Sequence, residues 1–290
     1  MIKKKNMIQS LALSALMTAI NAVIIFISTI SGAFFISALI LVLFFPFITS
    51  FAFLFIDKKM ALCYVIASLV VCLVINIEKS LFYLIPSLIS GFMFALLIEK
   101  KVNIVWIIFI TSMVNSLVSF GLYYLIDAIF ETSMYEAFKL LFGVKEEDAS
   151  KIFPLFIVAT STVQTVLNAL IIIPELKKFD VFIKIDDSPN KVLLIASISS
   201  SFICAVSMYF IDVFAYYCLG IALLCSIPTY VYIIKQKRYV MLGIIIGALI
   251  FGFAILSTFL KGYGILPLSY FILIISSIGL YLYNFDHRFN

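Results

Sequence analysis

The sequence predicts an all-α polytopic membrane protein of about ten transmembrane helices, and three observations predict it. Of the 290 residues, 64% are hydrophobic and only 12% charged, where soluble domains carry roughly 45–50% and about 25%. The mean hydropathy is +1.22. Runs free of any charge recur along the chain, the longest over residues 7–56, on the scale of the roughly 20 residues a helix needs to cross a bilayer core.

The spans follow in chain order. The run 7–56 is too long for one helix, and Ser31-Gly32 supplies a turn that gives spans at 7–30 and 33–56. Asp57-Lys58-Lys59 precedes a third span at 60–77, Glu78-Lys79 a fourth at 81–98, and Glu99-Lys100-Lys101 a fifth at 102–126. Residues 127–151 form a polar insertion with six acids and three lysines. Within it Ser133-Met134-Tyr135-Glu136 fits a capping box. Met134, Phe138, Leu141 and Phe142 then make an apolar stripe stopped by Gly143, as in a short amphipathic helix on the outer interface. A sixth span covers 152–173 and is ended by Pro174; the mixed-charge stretch 174–191 carries the turn signal Ser188-Pro189-Asn190. The run 192–234 divides at Asp212 into spans seven and eight, closed by Lys235-Gln236-Lys237-Arg238. Spans nine (239–260) and ten (265–283) flank the turn Lys261-Gly262-Tyr263-Gly264.

Charge gives an orientation. With both termini cytoplasmic, fifteen of the Lys and Arg residues fall in inner segments, and only Lys79, Lys139, Lys145, Lys151 and Lys261 lie outside, as the positive-inside rule requires. The expected location is therefore the cell membrane, with the lipid bilayer as the first partner. The net charge of +5 is not clustered in the manner of a nucleic-acid footprint. Lys3-Lys4-Lys5 could open a signal peptide, but the apolar run behind it exceeds an h-region of about 7–15 residues, which favours an uncleaved first span. All five cysteines (Cys63, Cys72, Cys204, Cys218, Cys225) fall within spans at spacings that match neither a disulfide framework nor a zinc site.

Enzyme signatures fail in turn. The chain has no Gly-rich phosphate loop, no HExxH, no GxSxG and no acidic pair within a span, and its single histidine, His287, sits in the tail. The expectation is a protein that is not an enzyme and needs no cofactor or metal. Ionisable residues embedded in spans mark ion and proton pathways; here Glu78 and Asp212 stand at turns, which argues against a proton-driven pump. Neutral polar groups remain. Ser112, Asn115 and Ser119 share a face of span five, and Thr160, Gln164 and Asn168 a face of span six, by spacings of three and four. Two readings stand open: hydrogen bonds between helices, worth about 0.6 kcal/mol each, or a pocket for a neutral polar or aromatic small molecule that opens outward.

Span one carries a second pattern. Ala12, Ala15, Ala19 and Ala22 line one face, and Ala15-Leu16-Met17-Thr18-Ala19 is a small-xxx-small element that permits close helix approach. The row serves packing within the chain or docking of another subunit.

A lysine-rich start, a first helix reading Ala12-Leu13-Ser14 into Ala15 and Ala19, and six leading spans resemble the substrate-binding S components of energy-coupling factor (ECF) transporters. At ten spans the chain looks more specifically like the YybS-like family of membrane proteins, whose N-terminal half is similar to S components. The resemblance implies a six-helix S-component-like domain over 1–185, including the external loop 127–151, and a four-helix extension over 186–290. It implies that Ala15 and Ala19, extended by Ala12 and Ala22, contact a transmembrane T component driven by two ATPases. It implies, further, that a vitamin-like ligand is enclosed by the 127–151 loop and the faces around Asn115, Gln164 and Asn168. The chain departs from the pattern in the short Ser31-Gly32 turn and in its last four spans.

Two other readings compete. Thr18-Ala19-Ile20-Asn21-Ala22-Val23-Ile24-Ile25 aligns with Thr165-Val166-Leu167-Asn168-Ala169-Leu170-Ile171-Ile172, as in a secondary transporter built from five-plus-five inverted repeats. A membrane scaffold or regulator would need no pocket at all.

Overall fold

The computed structural model describes residues 6–30, 34–130, 146–179, 183, 190–208, 210–235, 241 and 265–286. Every regular element among them is helical: α1 Met7–Ile30, α2 Phe34–Phe55, α3 Lys58–Ile75, α4 Ile77–Glu99, α5 Ile104–Phe130, α6 Glu146–Lys177, α7 Asn190–Ser207, α8 Asp212–Lys235 and α9 Ile265–Asp286. Among the described residues, α1, α3, α4, α5 and the Phe153–Lys177 part of α6 are each long and apolar enough to cross a bilayer, and shorter apolar stretches mark α2, α7, α8 and α9. The chain is an all-α, membrane-embedded protein.

Its packing inverts that of a soluble domain. On α3 the buried side chains are Tyr64, Ser68 and Cys72, while Leu62, Ile66, Val70 and Val74 are exposed. Lipid tails solvate such apolar side chains, so the inward face collects the groups that need partners. The ninth expected span, the amphipathic helix over 133–143, and the turns at Ser31-Gly32 and 261–264 lie outside the described residues.

The helices form two compact units, one of residues 1–132 with 160–185, the other of 133–159 with 186–290. In the first, α1 packs on α2 and α3, and α4 packs on α2 and α5. The joints explain the alternation. Ser10 near the start of α1 accepts the Asp57 N–H at the end of α2 (3.2 Å). Asn76 closes α3 by donating its N–H to the Cys72 carbonyl, and opens α4 by accepting the Lys79 N–H (2.8 Å). Lys79 Nζ then reaches the Ser28 carbonyl in the last turn of α1, where a cation meets the negative end of the helix dipole. The Phe55 and Phe179 rings meet edge-on, with centroids 5.2 Å apart, just where α2 and α6 stop. Lys58, Lys59, Lys100, Lys101, Lys177 and Lys178 thus gather at one end of the unit and Lys79 at the other.

Boundaries depart from expectation in four places. Glu78-Lys79 does not precede the fourth span but occupies its first turn, because Asn76 caps the helix two residues earlier. Within α4 the segment Ser80–Leu84 widens to a π-turn, with the Ile85 N–H donating to the Ser80 carbonyl; Pro86 has no N–H for an ordinary turn. Pro174 does not end α6, which runs on to Lys177; near a helix terminus proline removes a single bond. The polar insertion is also helical at both edges, since α5 continues to Phe130 and α6 begins at Glu146.

In the second unit α7, α8 and α9 pack on one another around Cys204, Ala215, Cys218, Leu219, Ala222 and Ile272. Small polar residues join them: Ser197 donates to the Ala222 carbonyl (3.0 Å) and lies 2.8 Å from the Ser276 hydroxyl, and Ser200 donates to the Cys218 carbonyl (2.8 Å). Gly220 lets α8 come close to Val158, whose Cβ lies 2.9 Å from where a glycine Cβ would stand.

Candidate functional site

A polar seam runs through the first unit. Asn115 on α5 donates its Nδ2 to Gln164 Oε1 on α6 at 2.6 Å. Gln164 Nε2 reaches Ser87 Oγ on α4 at 3.5 Å, and the Ser87 carbonyl lies 2.7 Å from the Thr49 hydroxyl of α2. One turn along α6, Asn168 donates Nδ2 to Ser50 Oγ at 2.9 Å. Gly91 lets α2 and α4 approach this closely: a Cβ there would stand 2.9 Å from the Ser50 backbone nitrogen.

Of the expected binding residues, Asn115, Gln164 and Asn168 lie in the seam, and Ser119 and Thr160 stand one helical turn from Asn115 and Gln164. Asn115 and Asn168 are fully buried, at 1% and 3% exposure. Gln164, Ser119 and Thr160 are half-buried. Two of the five, Asn115 and Gln164, bond to each other directly; Asn168 joins α6 to α2 instead. Ser112, on the same face of α5 as Asn115, is buried without a partner for its hydroxyl. Sequence spacing missed Thr49, Ser50 and Ser87, because a serine or threonine within an apolar run carries no periodic mark. The adjacent pair Thr49-Ser50 and the trio Ser87, Ser90 and Gly91 are the signals available.

A second polar cluster joins α1 to α3. Asn21 Nδ2 donates to the Tyr64 hydroxyl at 3.0 Å and to Ser68 Oγ at 3.4 Å, and Thr18 lies 3.1 Å from Ser68. These contacts fix the rotation of α1. Ser10, Ser14, Thr18 and Asn21 face inward and are buried, whereas Ala12, Ala15 and Ala19 are exposed and Ala22 is half-buried. On a different face of α1 from this row, Met17, Ile24 and Ile27, with Phe44, Phe47 and Phe51 of α2, line an apolar cleft of about 470 Å³.

Among the described residues no group of three or more His, Cys, Asp or Glu side chains comes together. What the seam offers is neutral: amide and hydroxyl oxygens held in a desolvated interior. Comparison with protein-family models, with curated proteins and with solved structures finds no match for this chain.

Proposed function

We propose that the chain is the small-molecule-binding membrane subunit of an ECF-type transporter, or a derivative of one, with ten spans and both termini cytoplasmic. The observation that carries this reading is the division of α1 into two faces. Its polar side chains turn inward to α3, which leaves Ala12, Ala15 and Ala19 on the outer surface. Lipid gains little from alanine, whereas a partner helix gains close backbone approach along such a row. The seam at Asn115, Gln164 and Asn168 is the binding site in this reading, for a vitamin-like ligand with hydrogen-bonding edges.

The unit's two ends support this orientation. Six lysines gather where α2, α4 and α6 stop, and positive charge favours the cytoplasmic side.

Affinity capture of the tagged protein from its own membranes in mild detergent tests the proposal. Recovery of a T component with two ATPases is the expected result, and Ala15→Trp abolishes it without lowering the unfolding midpoint. Recovery of the wild-type chain alone overturns it.

One observation favours a secondary transporter of five-plus-five repeats. Asn21 and Asn168, equivalent in the two matched octapeptides, share an environment: each donates Nδ2 to a serine of a neighbouring helix and buries an unpartnered Oδ1. Their helices run in opposite directions through the unit, as inverted repeats do. Uptake of substrate by proteoliposomes holding this chain alone selects that reading.

A further inference from the structure

Three helices of the first unit run in one direction and stop at one level. Contacts between α2 and α4 advance together, from Thr49–Ser87 through Ser50–Gly91 to Phe53–Phe92. Those between α2 and α6 advance from Ser50–Asn168 to Phe55–Phe179. Counted from Ser50, Gly91 and Asn168, the pairs Lys58-Lys59, Lys100-Lys101 and Lys177-Lys178 begin eight, nine and nine residues on, roughly 12–14 Å at the rise of a helix. The register therefore sets the three lysine pairs in one layer.

All six lysines are exposed. Of the acids beside them, Glu175 holds Lys178 at 2.7 Å, and Asp57 caps α3 by accepting the Lys59 N–H at 3.4 Å. Among the described residues, Lys178 alone of the six pairs with a carboxylate. Five ammonium groups are left without an ion-pair partner. Lys101 sharpens the point, because its backbone is held at φ 55°, a conformation that favours glycine. The position carries a cation against the preference of its own turn. Topology asks for positive charge somewhere in this segment; it does not ask for it at a left-handed residue, where retained strain points to a role for the side chain.

Depth selects the partner. The lysines stand within a few residues of the ends of apolar helices, the depth at which phospholipid headgroups lie. The exposed Phe179 ring shares that level, an apolar group suited to acyl chains rather than to water. Anionic lipids of the cytoplasmic leaflet attract juxtamembrane lysines, and the proposed orientation puts this end there.

We propose that the lysine-rich end of the first unit is a binding surface for anionic phospholipid headgroups, held by Lys58, Lys59, Lys100, Lys101 and Lys177. The surface is separate from the seam and from the alanine row of α1, and its test depends on neither.

The test is the unfolding midpoint of the purified full-length chain in mixed micelles of neutral detergent with either dioleoylphosphatidylglycerol or dioleoylphosphatidylcholine. Phosphatidylglycerol is expected to raise the midpoint saturably above phosphatidylcholine, and less so as salt is added. Each lysine near an anionic surface contributes about fivefold in affinity. The quadruple variant Lys58→Gln, Lys59→Gln, Lys100→Gln, Lys101→Gly is therefore expected to need at least about tenfold more phosphatidylglycerol for half of the effect. Lys101→Gly alone is expected to raise the midpoint in phosphatidylcholine yet shrink the phosphatidylglycerol increment, a split that a purely structural lysine would not produce. Equal wild-type midpoints in the two lipids overturn the proposal. A phosphatidylglycerol effect that both variants keep overturns it by placing the lipid elsewhere. A shift that inorganic phosphate alone reproduces overturns it by assigning the lysines to a soluble anion.

Discussion

Asn115 donates to Gln164 in a 2.6 Å amide-to-amide hydrogen bond between α5 and α6, and the Gln164 amide nitrogen in turn donates to Ser87 of α4. One side chain thereby ties three helices together. Hydrogen bonds of this kind in membrane proteins average about 0.6 kcal/mol and reach about 1.7 kcal/mol. A double-mutant cycle of Asn115→Leu and Gln164→Leu is expected to give a coupling in the upper half of that range, since both groups lie inside the bundle. Unfolding in mixed detergent micelles reads it. Strictly additive single effects would show that the two amides do not interact.

The same two residues illustrate how much the sequence discloses. Their placement on facing helical surfaces is legible from spacings of three and four within spans five and six, because amides in an apolar run stand out. Which helix answers Asn168 is not legible. Its partner, Ser50, stands in a run of aromatic and aliphatic residues, and no sequence rule pairs residues 118 positions apart. The order of the described helices follows from charge interruptions, whereas helix ends do not. Asn76 starts α4 ahead of the expected charged boundary and α6 passes Pro174, since a cap and a single lost bond are local effects that hydropathy does not register. Along α1 the alanine spacing defines a row, but the contacts of Asn21 with Tyr64 and Ser68 decide that the row faces outward.

Cysteine exposure offers a check on helix rotation. Cys63 is exposed on α3, whereas Cys72, Cys204, Cys218 and Cys225 are buried. In detergent a small maleimide is expected to label the folded protein at Cys63, and Cys63→Ser to remove nearly all of that labelling. The other four thiols should react only after denaturation. Strong labelling of the folded Cys63→Ser variant would mean that α3, α7 or α8 is rotated from the arrangement described.

At the end of α4 the chain turns through Lys101, the one non-glycine residue with positive φ (55°) among those described. The Lys101 N–H donates to the Ile98 carbonyl and the Val102 N–H to the Leu97 carbonyl, the bonding of a Schellman cap, which favours glycine at this position. A lysine there bears the left-handed penalty of roughly 1–2 kcal/mol. Lys101→Gly relieves it and adds back about 0.5–1 kcal/mol of chain entropy in the unfolded state. The expected net gain is about 0.5–1 kcal/mol, seen as a raised unfolding midpoint. Lys101→Ala is the control for lost charge and should leave the midpoint unchanged.

Gly91 and Gly121 make the opposite pair. A Cβ on Gly91 would collide with the Thr49 hydroxyl, with Thr49 Cβ at 2.8 Å and with the Ser50 nitrogen at 2.9 Å. Backbone and a buried side chain cannot both yield, so Gly91→Ala must push α4 away from α2. Overpacking of this kind costs about 1–3 kcal/mol. Because Asn168 bonds Ser50 and Gln164 bonds Ser87, the displacement also opens the seam between the same two helices. A Cβ on Gly121 meets nothing within 4 Å, and alanine is the better helix former by about 1 kcal/mol. Gly121→Ala is therefore expected to hold or raise the unfolding midpoint, while Gly91→Ala lowers it and weakens whatever the seam binds. Equal effects from the two substitutions would show that α2 and α4 do not meet at Thr49.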